Sequence, residues 1–232
     1  MSSDVLSVEL RLSAGAFELD VAFEVPPGIT VLFGPSGSGK SSTLAAIAGL
    51  AKPARGRVAL GDATWFDAAR GIDVPPESRG LSLVFQTLAL FPHLTAQDNV
   101  EYGMDRALPR RERRDRARAM LERMRIGHVA GRLPRTFSGG EAQRVALARA
   151  FARSPRVVLL DEAFSALDRD LRYALGADVR ELVAERSIPT IVVTHHRHEA
   201  RTLADRAIAL RDGRVEAQGA VRDVVPAADR EQ

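Results

Sequence analysis

The sequence predicts an α/β fold with a mainly parallel core sheet, an antiparallel β-subdomain and an inserted helical subdomain. Three observations carry this. Short apolar runs, Ile29-Thr30-Val31-Leu32-Phe33, Val157-Val158-Leu159-Leu160 and Thr190-Ile191-Val192-Val193, read as strands buried on both faces of a parallel sheet. Near the N-terminus apolar and polar residues alternate instead, as in half-buried antiparallel strands. From Thr87 to Thr136 the strand-like runs give way to helix-forming sequence. On this reading residues 1–232 form a single domain, with 1–86 and 155–232 in the core and β-subdomain and 87–154 in the helical subdomain.

Taken in order, Val8, Leu10 and Leu12 alternate with Ser7, Glu9 and Arg11, and every odd position from Phe17 to Val25 is apolar, which predicts two strands of an edge sheet. Phe17 either fills the apolar face of that sheet or offers its ring to an adenine, and both readings stand at this point. Pro26-Pro27-Gly28 is a turn. The strand after it runs into Gly34-Pro35-Ser36-Gly37-Ser38-Gly39-Lys40-Ser41, which fits G-x-x-x-x-G-K-[ST] and is followed by the helix-forming Leu44 to Ala48. In the context of strand, glycine loop and helix, this pattern binds polyphosphate. The glycines let successive N–H groups face the anion at the positive end of a helix. Lys40 then reaches the β- and γ-phosphates, and Ser41 ligates Mg²⁺. Lys40 and Lys52 are the only lysines in a chain that otherwise uses arginine.

Gly49 and Pro53 stop the first helix, Arg57 to Leu60 reads as a short strand, and the segment up to Pro75-Pro76 reads as turn-rich. Leu81 to Phe85 is the next buried strand, with Gln86 at its C-terminal end, where open α/β sheets bind ligands. An amide there can touch Mg²⁺ or an attacking water, or serve as a plain loop residue. One helix opens at Thr95-Ala96-Gln97-Asp98 and another spans Arg110 to Arg125. The nine arginines from Arg106 to Arg125 are interleaved with Glu112, Asp115 and Glu122, which reads as a solvated, internally paired helix face rather than a nucleic-acid surface.

Ser138 and Glu141 have the spacing of a capping box opening a helix to Arg153, and Ser138-Gly139-Gly140 could also form a second anion site. Asp161 and Glu162 end the apolar strand at Leu160. Two adjacent carboxylates there are costly unless used, one on Mg²⁺ and one on a nucleophilic water. Ser165-Ala166-Leu167-Asp168 leads into a helix to about Glu185. The last core strand ends in Thr194-His195-His196, and with only His198 nearby a metal site is not expected, so a histidine facing a phosphate is the better reading. Asp212-Gly213 joins a terminal hairpin, followed by a short helix and a tail.

Composition narrows the chemistry further. Absence of cysteine excludes disulfides, zinc–cysteine sites and thiol nucleophiles. Thirty-three basic residues oppose 30 acidic ones, and a formal charge of +3 is little reason to expect a nucleic-acid partner. With neither an export signal nor a run of about 18 apolar residues, a cytoplasmic protein is expected.

The motifs in this order, the phosphate loop, Gln86, Phe137-Ser138-Gly139-Gly140-Glu141, the strand ending in Asp161-Glu162, Ser165 to Asp168, and Val192-Val193-Thr194-His195, resemble the ATPase subunit of ATP-binding-cassette transporters along the whole chain. The resemblance implies a phosphate-loop NTPase fold of the cassette type, with ATP and Mg²⁺ as cofactors. It places Gly34, Pro35, Ser36, Gly37, Ser38, Gly39, Lys40, Ser41 and Ser42 around the phosphates and Phe17 against adenine. Ser41, Gln86 and Asp161 become the metal side, Glu162 the base and His195 the switch histidine. Ser138, Gly139, Gly140 and Asp168 then act on the ATP of a second copy, in a head-to-tail homodimer. Glu141, Phe137, Ala163 and Phe17 stand where glutamine, leucine, proline and tyrosine are more frequent. The segments Trp65 to Arg79, Val84 to Gln86, Leu90 to His93 and Asn99 to Met104 look most like molybdate-importer ATPases, with thiamine, sulfate and ferric-ion importers close behind. A membrane permease is the implied partner, a substrate-binding protein an indirect one, and the inner face of the cell membrane the implied location. No C-terminal oxyanion-binding β-domain is expected within the chain. Two other classes compete: a soluble cassette ATPase acting on ribosomes or DNA, and a nucleotide-binding regulator without turnover.

Overall fold

The computed structural model describes residues 4–15, 17–164 and 167–226, and its eleven strands form one continuous sheet. Strands β1 (Leu6–Ala14) and β2 (Phe17–Val25) pair antiparallel residue for residue, from Leu6 opposite Val25 to Ala14 opposite Phe17. On the other side of β1 lie β4 (Arg55–Leu60), β5 (Ala63–Asp67) and β6 (Ile72–Asp73), each antiparallel to its neighbour. The parallel part runs β10 (Arg206–Arg211), β3 (Gly28–Phe33), β9 (Pro189–Thr194), β8 (Val157–Asp161) and β7 (Leu81–Val84). The two parts meet through β11 (Arg214–Ala220), antiparallel to β10 and paired with β2 only at Arg214 and Asp20. The Asp20 N–H donates to the Gly213 carbonyl at 2.7 Å. Side-chain bulk at Gly213 is excluded there, since φ is +77° and a Cβ would collide with the Glu18 carbonyl.

Helices cover both faces. Helix α1 (Lys40–Ala48) lies on one, packed into a core with Leu32, Val157, Leu159, Ile191 and Val193. On the other face, α2 (Ala96–Tyr102), α3 (Arg110–Arg123), α4 (Gly139–Ala152), α5 (Arg169–Arg186), α6 (Arg197–Leu203) and α7 (Val221–Val224) share a second core with Val31, Val158, Leu160 and Val192. Alternate residues of the same strands thus feed opposite cores, which is why these strands are apolar throughout rather than alternating. No helix among the described residues is long and apolar enough to cross a membrane.

Two local expectations change. The segment read as turns before Pro75 contains β5 and β6, because Trp65 and Phe66, both nearly fully buried beside β4, gain more by joining the core on the α1 side than the surrounding turn residues resist. The arginines of α3 are not chiefly paired within their own helix. Arg116 meets Glu112 at 2.5 Å, but Arg123 bonds Glu185 of α5, Arg125 reaches Asp178 of α5 at 3.3 Å, and Arg114 faces Glu101 of α2 at 3.7 Å. The face is solvated as expected, with Arg110, Arg111, Arg114, Arg116 and Arg118 exposed, but the α3 arginines that reach beyond their own helix, Arg114 and Arg123, pair with α2 and α5. The tail beyond Pro226 lies outside the described residues.

Arg79 locks the end of α1 to the β-subdomain. Its side chain is fully buried, and its guanidinium donates to the carbonyls of Ala46, Ile47 and Val74 and to Asp73. The Ala46 carbonyl also accepts from the Gly49 N–H that caps α1, so Arg79 adds a second donor at this helix end. Arg79→Met should therefore destabilise the chain by about 1–3 kcal/mol, the usual cost of leaving buried carbonyls without their donor, Asp73 being partly exposed and also paired with Lys52. A urea titration followed by circular dichroism measures this, and a midpoint unchanged from the parent would contradict it.

Candidate active site

The loop between β3 and α1 is built by glycines. Gly34, Gly37 and Gly39 have φ of +155°, +79° and +102°, and a Cβ at Gly34 would collide with the Leu210 carbonyl. Pro35, Ser36 and Gly37 are exposed at its tip, whereas Ser38 and Lys40 are buried. Gly39 caps α1 without any side chain covering the first-turn N–H groups, so these donors are left for a ligand. Within the loop the Lys40 ammonium donates to the carbonyls of Gly34 at 2.8 Å and Pro35 at 2.7 Å. Burial lowers the Lys40 pKa, and the carboxylates of Glu162 and Asp161 oppose that shift. Ser42, next in α1, is half-buried. Phe17 approaches the loop, its ring edge 3.1 Å from where a Cβ of Gly39 would stand.

Across from the loop, the ends of three strands bring the other candidates together. The Ser41 hydroxyl donates to Asp161 Oδ1 at 3.3 Å. Burial raises the Asp161 pKa, aided by the Glu162 charge and opposed by the Ser41 hydrogen bond and Lys40. Glu162 follows in the left-handed region, φ +48°, a costly conformation for a side-chain-bearing residue that turns it away from the strand direction. Its carboxylate accepts from Gln86 Nε2 at 2.9 Å on one oxygen and faces His195 Nδ1 at 3.2 Å on the other. Gln86, Glu162 and His195, 109 residues apart from first to last, thus form one cluster. Gln86 spends its amide N–H on Glu162 and keeps its carbonyl oxygen for another partner.

The remaining candidates lie elsewhere. Ser138 caps α4 and Glu141 closes the capping box, its carboxylate accepting from the Ser138 N–H at 2.7 Å. Gly140 has Leu167 and Leu171 as its nearest side-chain neighbours rather than the phosphate loop. Asp168 caps α5, accepting from the Leu171 N–H at 2.9 Å. Ser165 and Ala166 lie outside the described residues.

The donor set suits ATP with Mg²⁺. The Ser38 hydroxyl is buried without a partner at the loop, an orphan that a phosphate oxygen would satisfy. Ser41, Asp161 and Gln86 offer the oxygen ligands that a hard cation takes. Among the described residues no cluster of His, Cys, Asp or Glu could hold a metal unaided, so a cation here would be completed by the phosphates.

Sequence reasoning missed the groups that shape the approaches to this cluster. Asn99, fully buried, donates to the carbonyls of Phe91, Leu94 and Thr95 and accepts from the Phe91 N–H, bracing the loop after Gln86. Arg149 donates to the carbonyls of Leu88 and Ala89, both residues at positive φ. Single polar residues within helices give no local signal of such reach.

Residues 19–165 match the sequence pattern of the ABC transporter family. The chain belongs to that family. Among its relatives it is similar to the molybdenum import ATP-binding protein ModC of Pseudomonas fluorescens, 41% identical over 97% of this chain and 62% of that protein. The ModC 1 protein of Azotobacter vinelandii is 40% identical over 99% of this chain and 63% of its own length. The chain spans little more than three-fifths of these relatives. Among solved structures it resembles a dimeric bacterial ABC transporter cassette, at a TM-score of 0.80 and 31% identity over 94% of this chain and 99% of that one. A post-hydrolysis state of an ATP-binding cassette bound to ADP and Pi superposes at 0.79, also with 31% identity.

The capping box carries a pH signature. Hydrogen bonding from the Ser138 N–H, with His128 and Arg132 nearby, lowers the Glu141 pKa to about 2 from 4.5. A depressed carboxylate contributes stability above its unfolded pKa and loses it as pH falls through the folded value. Glu141→Gln keeps the cap geometry without the charge. At pH 6 it should be less stable than the parent by on the order of 1 kcal/mol, allowing for solvent screening, and the difference should vanish between pH 4.5 and pH 2. Urea midpoints across that range check this, and a gap that persists at pH 2 would exclude the ionic contribution.

Proposed function

We propose that the chain binds ATP with Mg²⁺ and hydrolyses it as the energising subunit of an importer, with molybdate or a related oxyanion as cargo. The observation that carries the chemistry is the placement of the Glu162 carboxylate. It is held by Gln86 and His195 one residue beyond Asp161, which itself meets Ser41 of the phosphate loop. In this reading the loop N–H groups and Lys40 bind the β- and γ-phosphates. Ser41, Asp161 and Gln86 would hold Mg²⁺, which when bound offsets charge on the phosphate oxygens.

Glu162 orients a water and accepts its proton as the water oxygen attacks the γ-phosphorus and the bond to the bridging oxygen breaks. Products are ADP and inorganic phosphate. His195 orients Glu162 through Nδ1 and donates to the γ-phosphate. Phe17 beside Gly39 is suited to stack on the base.

Similarity to the ModC proteins supports the cargo, and similarity to a dimeric cassette supports a head-to-tail homodimer. In that dimer Ser138, Gly139, Gly140 and Asp168 of one copy complete the site of the other. Residues 87–154 form the helical subdomain that carries Ser138 to Gly140, and the rest of the chain is the core with its β-subdomain. The partner is an integral membrane permease, served by a substrate-binding protein, which places the chain on the inner face of the cell membrane.

Glu162→Gln should bind ATP, accumulate as a dimer and turn over at least about 10²-fold more slowly than the parent, the usual weight of general-base assistance. Phosphate release and size-exclusion chromatography with ATP measure both effects. Turnover near the parental rate would remove Glu162 from its role. Lys40→Ala should lose ATP binding by equilibrium dialysis, and unaltered affinity would contradict the phosphate-loop reading. Copurification of the ATP-trapped Glu162→Gln protein with a polytopic membrane protein supports transport, whereas recovery with ribosomes or DNA would replace that assignment while keeping the chemistry.

A further inference from the structure

Behind His195 a cavity of about 1100 Å³ opens between α5 and α6, and Arg172 and Glu199 line it. Glu199 is buried on α6, its side chain only 6% exposed, and Arg172 on α5 is mostly covered. Their nearest atoms, Arg172 Nε and Glu199 Oε2, are 3.9 Å apart, and each lacks a hydrogen-bond partner. A buried guanidinium and carboxylate facing each other about 1 Å beyond hydrogen-bond length are costly as they stand. Burial outweighs the Arg172 charge and raises the Glu199 pKa to about 7.

Each partner is tied to a different part of the site. Arg172 Nη2 donates to the carbonyl of Leu167 at 2.8 Å, next to Asp168, the residue that caps α5. The Thr194 side chain lies beside Glu199 and opposes the rise of its pKa. Thr194 Oγ1 accepts from the His196 N–H at 3.1 Å, and between these two residues stands His195, which faces Glu162. The polar path therefore runs from the Asp168 turn through Arg172 and Glu199 to the segment that aims His195, with one link unclosed.

We propose that Arg172 and Glu199 are positioning residues that couple the Asp168 turn to the His195 segment, their ion pair closing when α5 and α6 draw together. Closure satisfies both orphaned atoms and fixes His195 against Glu162. An open pair leaves the segment held only by Thr194. The inference rests on the hydrolytic reading of Glu162 and His195, and neither Arg172 nor Glu199 touches the reacting atoms.

Its test uses Glu199→Gln, Arg172→Lys and their combination in the full chain, with urea midpoints to establish that each is folded. Either single substitution should lower kcat about tenfold with KM for ATP within about twofold of the parent, and the double variant should be no slower than the slower single. Parental kcat in Glu199→Gln, or losses that multiply in the double variant, would overturn the coupling. A second arm needs no nucleotide. Glu199→Ala, which removes the carboxylate beside Thr194, should speed amide hydrogen exchange of residues 194–198, measured by mass spectrometry, while the exchange of β3 is unchanged. Unaltered exchange of residues 194–198 would overturn the tie. Were the unsubstituted chain to show no ATP turnover, the hydrolytic reading would fall, and the exchange arm alone would decide whether Glu199 holds the segment.

Discussion

Burial of β3, β7, β8 and β9 on both faces is the constraint on which the rest depends. Val31, Val158 and Val192 point into one core while Leu32, Leu159 and Val193 point into the other, so these strands have no solvated side on which a polar group could sit. The polar side chains buried within them are small hydroxyls, Thr30, Ser82 and Thr190; the charged and amide groups gather where the strands end, and because the strands are parallel they end together. Asp161 ends β8, Glu162, His195 and Gln86 come within two residues of a strand end, Lys40 follows β3 across the loop, and the register that pairs Leu160 with Val192 and Phe33 with Thr194 sets these ends side by side. The same register explains why hydrogen bonds join residues as far apart in sequence as Ser41 and Asp161.

At this edge the fold holds Lys40 close to the carboxylates of Asp161 and Glu162. Lys40 is folded back onto the carbonyls of Gly34 and Pro35, which satisfy its hydrogens but supply no counter-charge. Its pKa is lowered by burial while that of the neighbouring Asp161 is raised, so each group would be stabilised by a partner of opposite sign placed between them. A polyphosphate answers Lys40 and a divalent cation answers Asp161, and the two are each other's natural companions. The orphaned Ser38 hydroxyl and the uncapped start of α1 point the same way. The left-handed backbone of Glu162 belongs to the same economy, since it turns the carboxylate toward Gln86 and His195 rather than along the strand.

How much of this was legible depends on whether the signal was local. Apolar runs bounded by glycine or paired carboxylates identified β3, β8 and β9, and the alternation of Phe17 to Val25 gave β2 residue for residue. Ser138 and Glu141 announced their capping box because both partners lie within one turn. Strands β5 and β6 were hidden by turn-forming neighbours, since the burial of Trp65 and Phe66 in the core on the α1 side is a tertiary effect. Arg79, Asn99 and Arg172 read in sequence as ordinary polar residues. Their partners lie on other segments, and Arg79 alone joins residues 33 positions apart. At the site the positions were readable while their contacts were not: nothing in Gln86 or His195 alone indicates that both address the same carboxylate.

The arrangement also bears on why one copy of the chain would carry, besides the phosphate loop, the second anion-binding segment proposed at Ser138 to Gly140. In a single copy the Ser138 hydroxyl is spent on the Glu141 N–H, and the next residues rest near Leu167 and Leu171, not near Lys40. Leu171 is 43% exposed, a large apolar side chain between the α4 N-terminus and the exposed Asp168. An exposed apolar residue between a helix start and an acidic cap is poorly matched to water but well matched to a protein surface that brings its own phosphate. In the proposed head-to-tail dimer that surface is the phosphate loop of the second copy. The pair Arg172 and Glu199 then has a clear place: it starts one turn from Asp168, which would face that second copy, and ends at the segment aiming His195 in its own. The link left open in one copy is therefore the link whose closure would let the partner's approach be felt at Glu162.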